Sequence, residues 1–251
     1  MMKESQNMFW SDINDISRFT ENTPGNKEKQ ARKTAAIILA AVQLSENFIK
    51  GLKHLSAYEA SSIITSDANW VQKSTDKEFK DSHGKRKPVQ VGTVYYIDYG
   101  KTFCGELAYF HYGLCIGKRE DKVFIVPMTS GTQYFSTCYH PINNPYANKK
   151  YRQALATEGF SKDCVLKIDD VKFISAGRIE KESVTIHKDT LSEIQKQVFQ
   201  VIFPQLYQEY DNHQKLLTKK GKQINDQKSL INQLKNDNNH MKQLLKNNNL
   251  L

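Results

Sequence analysis

The sequence is poor in the residues that build small metal sites and crosslinks. Its four cysteines, Cys104, Cys115, Cys138 and Cys164, show no CxxC and no paired Cys/His spacing. That excludes the common zinc arrangements. Cys115 and Cys164 fall in apolar strand patterns, where cysteine acts as a small hydrophobe. All four read as reduced and structural, as in an intracellular chain, and no metal and no cofactor is expected. Long hydrophobic runs are missing too. The longest, AAIILAAV from Ala35 to Val42, is too short to span a bilayer. The opening MMKESQNMFWSD has neither the apolar core nor the small-residue cleavage site of a signal peptide. The expectation is a cytoplasmic protein without membrane contact.

Acidic residues are outnumbered, 27 against 36 Lys and Arg, for a net charge of +9. A basic balance favours an anionic partner such as nucleic acid or an acidic protein. Its distribution weakens that inference. From His213 to the end there are eight lysines and two aspartates, and a lysine-rich helix is more often a solvated face than a binding site. Charge alone leaves RNA binding open.

Three regions differ in texture. Residues 1–87 read as a helical region followed by a linker. NKEKQARKTAAIILAAVQLSENFIKGLKHL is rich in helix formers, with Ile38, Val42, Phe48, Ile49 and Leu52 on one broad buried face. After Trp70, KSTDKEFKDSHGKRKP is polar and reads as the linker. Residues 88–203 read as mostly β with a closing helix. TVYYIDY, YGLCIG, KVFIVPM, CVLKI and VKFIS are short strand runs with polar turns between them, which predicts a small curled sheet or open barrel. Pro127 predicts a strand end or an edge, and DTLSEIQ a capping box. Residues 204–251 return to helix after a break at Pro204. A heptad register places Phe203, Tyr210, Leu217, Ile224, Ile231, Asn238 and Leu245 at one seam position. Leu206, His213, Lys220, Gln227, Leu234, Met241 and Asn248 take the other. The register is clean from Ile224 onward, Gly221 interrupts it, and Asn238 favours specific pairing over maximal stability. The end, KNNNLL, reads as disordered.

VGTVYYIDYG, GELAYFHYGLCI and VFIVPMTSG, in that order, resemble the MazF/PemK family of toxins from bacterial toxin–antitoxin systems. There a Gly-led strand ending in an acidic dipeptide precedes a Gly/Ser-Glu turn. An Arg-Pro then opens a second strand, and a third ends in Pro-x-Thr. KDCVLKIDDVKFISAGRI is similar to the family's later signature. The likeness covers Gly92–Ser130 and Lys162–Ile179. It implies an α+β fold, a small SH3-like β-barrel of the MazF/PemK/CcdB kind. An N-terminal helical region and a C-terminal helix or short coiled coil flank it. It also implies a homodimeric, metal-independent endoribonuclease acting on single-stranded messenger RNA and neutralised by an antitoxin. Cleavage in that family is by 2′-hydroxyl attack, leaving a cyclic phosphate.

Carried over residue by residue, Glu106 falls on the family's acidic position after the turn. Thr129 falls on its active-site threonine, with Ser130 beside it. His111 stands where the family usually has its catalytic arginine. Arginine stays charged to above pH 12, whereas histidine titrates near ~6.5 and moves a proton at neutral pH. His111 is therefore the expected proton-transfer group, Thr129 and Ser130 the phosphate-oxygen donors, and Glu106 an orienting partner or second acid/base. Arg178, Tyr109, Tyr134 and Arg152 are the expected RNA contacts, with Phe135, Tyr139, His140, Tyr146 and Tyr151 on the same long loop. Bases stack on such rings for roughly 1–3 kcal/mol each. Each residue also has a plainer reading: a packed histidine, a threonine ending a strand, a glutamate paired with lysine, an arginine in a structural pair. Two other functions stay open. One is a non-catalytic binding protein such as a gyrase inhibitor, for which His111 beside Thr129 has no use. The other is an interaction module dominated by its helical ends.

Overall fold

The computed structural model describes residues 16–103 and 105–247, the Thr132 side chain apart. The first fifteen residues, Cys104, Asn248 of the heptad register and the rest of the chain's end lie outside the described residues. The chain divides into two compact units, Met1–Ser74 and Thr75–Leu251.

The first unit holds a short helix, α1 (Pro24–Glu28), and two longer ones, α2 (Ala35–Leu52) and α3 (Ala57–Lys73). Thr23 caps α1 by accepting the Asn26 N–H, and Ser56 with Glu59 forms a reciprocal capping box on α3; such caps satisfy the free N–H groups of a first turn. The expected buried face of α2 is not buried. Ile38, Val42 and Ile49 are 46%, 51% and 55% exposed, and no residue of this helix is buried. Over all 18 residues α2 has a mean hydropathy of 1.3, long and apolar enough to cross a bilayer by length and composition. The shorter run Ala35–Val42 does not reveal this.

The second unit is α+β. Its strands are β1 (Thr93–Asp98), β2 (Phe110–Arg119), β3 (Lys122–Thr129), β4 (Tyr151–Ala154), β5 (Cys164–Lys167), β6 (Lys172–Ser175) and β7 (Ile179–Thr185). All pair antiparallel in one sheet of order β4-β5-β3-β2-β1-β7, with β6 also on β3. Among the described residues no ladder joins β7 to β4 or to β6. The sheet is not closed among these residues, and the expected antiparallel α+β arrangement is present. The four residues of β6 pair only with β3, and the 3-10 turn Ala176–Arg178 then carries the chain across to β1.

Pro127 is not at a strand end. It lies inside β3, where the strand changes neighbours: Lys122–Ile125 pair with β6, Met128 and Thr129 with β5. A residue with no N–H to give thus falls in the gap between two ladders.

Both faces of the sheet are buried, so its strands read as near-continuous apolar runs. Successive strand residues point to opposite faces. Val94, Leu114, Ile116, Val126 and Leu166 pack on one side against Ile194 and Val198 of helix α4 (Lys188–Ile202). Tyr95, Ile97, Cys115, Val123 and Ile125 fill the other side with Phe79 and Val89. Phe79, in the segment expected to be a linker, is 3% exposed and sits edge-on to Tyr95 at 5.8 Å. The expected boundary at residue 87/88 therefore gives way to one at Ser74/Thr75.

Gly113 marks the tightest approach in this second core. A Cβ there would overlap the Tyr99 hydroxyl and Ile125 Cγ2. Gly113→Ala is expected to lower stability by about 1–3 kcal/mol through overpacking, read as a shift in the denaturation midpoint.

Helix α4 starts at Lys188 with His187 as an N-cap that makes no side-chain bond. The expected capping box at Thr190 is not formed, because the helix begins at Lys188 and Thr190 lies inside its first turn; Glu193 pairs with Arg152. Phe203 leaves the helical conformation, and Pro204 opens α5 (Pro204–Asn247). Burial pushes the thiols of Cys115 and Cys164 up to about 11 and about 12, which keeps both protonated and unreactive.

Candidate active site

The register of the sheet decides which side chains meet. In the β2–β3 ladder Gly113 stands opposite Pro127. That pair ends the ladder; His111, two residues before Gly113, and Thr129, two after Pro127, lie on the same face as these two, since residues two apart share a face. In the β3–β5 ladder Thr129 stands opposite Val165, and Lys167, two residues after Val165, lies on the same face. Three neighbouring strands therefore place His111, Thr129 and Lys167 on one face. Lys167 carries no signal in the sequence beyond its place at the end of an apolar strand, and it was missed.

His111 is half-buried. Burial, and then the Lys167 ammonium, hold its imidazole below the ordinary value of 6.5. At pH 7 the ring is neutral, with one nitrogen free to accept a proton. The unfolded chain takes up that proton more readily. The stabilisation from neutral His111 is thus complete above about pH 6.5 and is lost as pH falls through the depressed folded value.

The aromatic residues around His111 divide by strand alternation. Tyr96, Phe110 and Tyr112 form a ladder on the opposite face, with Tyr96 5.9 Å from Phe110 and 5.1 Å from Tyr112. Tyr109 precedes the strand at φ +59, a left-handed conformation that a non-glycine residue adopts at a cost of order 1–3 kcal/mol. It is held there by two backbone bonds of 2.8 Å, its N–H to Gly100 O and its carbonyl from Tyr99 N–H.

The loop before β2 is fastened to the β5–β6 turn. Lys167 Nζ donates to Gly105 O at 3.0 Å, and Asp170 Oδ2 accepts the Leu107 N–H at 2.9 Å. Lys172 bridges Asp170 at 2.9 Å and Glu106 at 3.7 Å. Glu106 is thus paired with a lysine in a pinned loop, and the charge that acts on His111 is that of Lys167. Tyr99 lies at the bottom of this cluster. Its buried hydroxyl makes no hydrogen bond, and burial with the nearby Asp170 carboxylate raises its pKa.

Thr129 is partly exposed, and Ser130 is exposed just beyond the strand. The Thr129 hydroxyl makes only a long contact to Gly131 N–H, 3.5 Å, so it remains available to another acceptor. Tyr134, 62% exposed, sits in the 3-10 turn Thr132–Thr137 that follows. Arg178 is exposed, but its guanidinium lies over Gly100 and donates to Asp98 O at 3.2 Å. Asp98 fixes the same turn by accepting the Gly100 N–H.

Arg152 needs correcting. It is 1% exposed, with Nη2 2.6 Å from Glu158 Oε1 and 3.3 Å from Glu193 Oε2. A guanidinium paired with two carboxylates beneath the surface is not free to track a nucleic-acid backbone. His140, 3% exposed, is also internal; its Nδ1 accepts the N–H groups of Ile142 and Asn143. Among the described residues no three His, Cys, Asp or Glu side chains group as metal ligands.

No protein-family model matches this chain, and no curated protein matches it. Solved structures do. The Mycobacterium tuberculosis toxin MazF-mt6 is 9% identical, with a TM-score of 0.31, and covers 44% of this chain and 95% of its own. An endoribonuclease in complex with its cognate antitoxin, from Mycobacterial species, is 12% identical with a TM-score of 0.32, covering 46% and 95%.

Proposed function

We propose that this chain is an endoribonuclease that cleaves single-stranded RNA by internal 2′-hydroxyl attack without a metal ion, and that an antitoxin protein holds it in check. One observation carries this reading: a half-buried histidine shares a sheet face with a threonine whose hydroxyl proton is uncommitted, and a lysine on the same face acts on the imidazole. The chemistry needs a base for the 2′-OH proton and donors for the charge growing on the phosphoryl oxygens. His111 takes the proton, Thr129 Oγ1 donates to a phosphoryl oxygen, and Lys167 offsets the developing negative charge. The 2′-oxygen bonds to phosphorus as the bond to the 5′-oxygen breaks, and that oxygen takes its proton from water. Exposed Tyr134 and the fixed Tyr109 flank this centre in sequence and serve as stacking surfaces. The antitoxin follows from the resemblance to the toxin family.

The test is purified protein with long single-stranded RNA in excess chelator, followed by end-group analysis. Cyclic phosphate and 5′-hydroxyl ends are expected, and both are expected to vanish in His111→Ala. Intact RNA, with inhibited supercoiling by a gyrase, would instead favour the binding-protein reading. The pH profile gives a second test. The acid limb of kcat/KM reports the base in the free enzyme. Removing a neighbouring positive charge lets the imidazole hold its proton more tightly, so Lys167→Met is expected to move that limb to higher pH, and Lys167→Arg to leave it in place. A limb unmoved in Lys167→Met would show that the lysine does not act on the base.

A further inference from the structure

Helix α5 is 44 residues long and buries none of them. Among the described residues its one i,i+4 ion pair is Asp211–Lys215, at 2.7 Å. A long amphipathic helix gains most of its stability by covering its apolar face; Phe199 of α4 packs on Tyr207 and Tyr210 at the start of α5, and among the described residues none from Ile224 onward is buried. From Ile224 the seam holds Ile224, Ile231, Leu234, Met241 and Leu245, 36–62% exposed, with Gln227 and Asn238 as its polar positions. At 1.5 Å per residue, that seam runs about 33 Å.

The flanking charges say what fits it. Lys228, Lys235 and Lys242 recur every seven residues along one edge of the seam, and Gln223, Leu230 and Asp237 along the other. In an antiparallel pair of identical helices the lysine edge faces itself, which repels. In a parallel pair each edge faces the opposite one, so Asp237 meets Lys242 of the second copy and no like charges meet. Asn238, within the seam, meets its own counterpart only in a parallel, in-register pair, where the two amides hydrogen-bond. Charge density agrees. The stretch Ile224–Asn247 has four lysines and two aspartates, whereas Lys215–Lys222 has four lysines, no acid and a glycine. Two copies can close along the first and must splay along the second.

We infer that residues 224–247 form a parallel, in-register two-stranded coiled coil with the same segment of a second copy of this chain. The inference is independent of RNA cleavage. It is tested on the full chain by sedimentation equilibrium, where a mass twice the 28.9 kDa of one chain is expected. Leu234→Asp with Met241→Asp is expected to give monomers at the same concentration, with the near-ultraviolet circular dichroism of the β unit retained. Leu245→Cys, in a Cys104→Ser background, is expected to yield a disulfide-linked dimer under mild oxidation. A monomeric parent chain would overturn the inference, as would a dimer that survives both aspartates. Loss of the Leu245→Cys crosslink while the dimer persists would overturn the parallel orientation.

Discussion

His111→Ala is expected to reduce RNA cleavage by about two to four orders of magnitude, the range a positioned general base supplies. The imidazole is neutral at pH 7 because burial and Lys167 both disfavour its charged form. Alanine leaves a methyl group where the proton acceptor stood, and among the described residues the nearby acids do not take its place. Tyr99 is buried and protonated, and Glu106 is tied to Lys172. Thr129→Ala removes a neutral donor and keeps the base, so its loss is expected to be smaller, on the order of a hundredfold. Single-turnover rates on one RNA with chelator present measure both. A His111→Ala protein that cleaves within tenfold of the parent would remove His111 from the mechanism.

The second large effect is on stability. Phe79→Ala is expected to destabilise the β unit by about 3–5 kcal/mol, as for other buried phenylalanines truncated to alanine. Phe79 is 3% exposed, packs on Tyr95 and lies in the core of Ile97, Ile125 and Ile179. Its segment is fastened beside it: Ser175 Oγ donates to Asp76 O at 3.1 Å, Lys87 pairs with Glu182, and a Cβ on Gly177 would strike the Asp76 backbone. Urea unfolding of the full chain measures the effect. A change below about 1 kcal/mol would mean that the segment is a tether after all, since linker substitutions are usually within about 0.5 kcal/mol.

How much of this was legible depended on how local the cause was. The strand runs of β1, β2, β3, β5 and β6 could be read from short stretches of β-forming residues between polar turns. The break at Pro204 was equally local. Phe79 was not legible, because one phenylalanine in KSTDKEFKDSHGKRKP gives no periodicity; only contact with Tyr95 reveals its burial. Arg152 misled for a related reason. An arginine in a polar loop looks exposed until Glu158 and Glu193, six and forty-one residues away, are found around it. Pro127 suggested a strand end because a single ladder cannot hold it, whereas a strand shared between two neighbours can.

By itself the sequence determined which chemistry the chain has available: a titrating histidine at the start of one strand, a threonine at the end of the next and a regular apolar seam in its final helix. Each is a matter of residue type and spacing along a short segment. Only the tertiary structure decided which of these groups meet. Strand pairing across the sheet put His111, Thr129 and Lys167 on one face. The same register turned Phe110 and Tyr112 to the opposite face and left Glu106 with Lys172. Cross-strand pairing arises from the packing of the whole sheet, and a one-residue slip would turn each of these side chains to the other face.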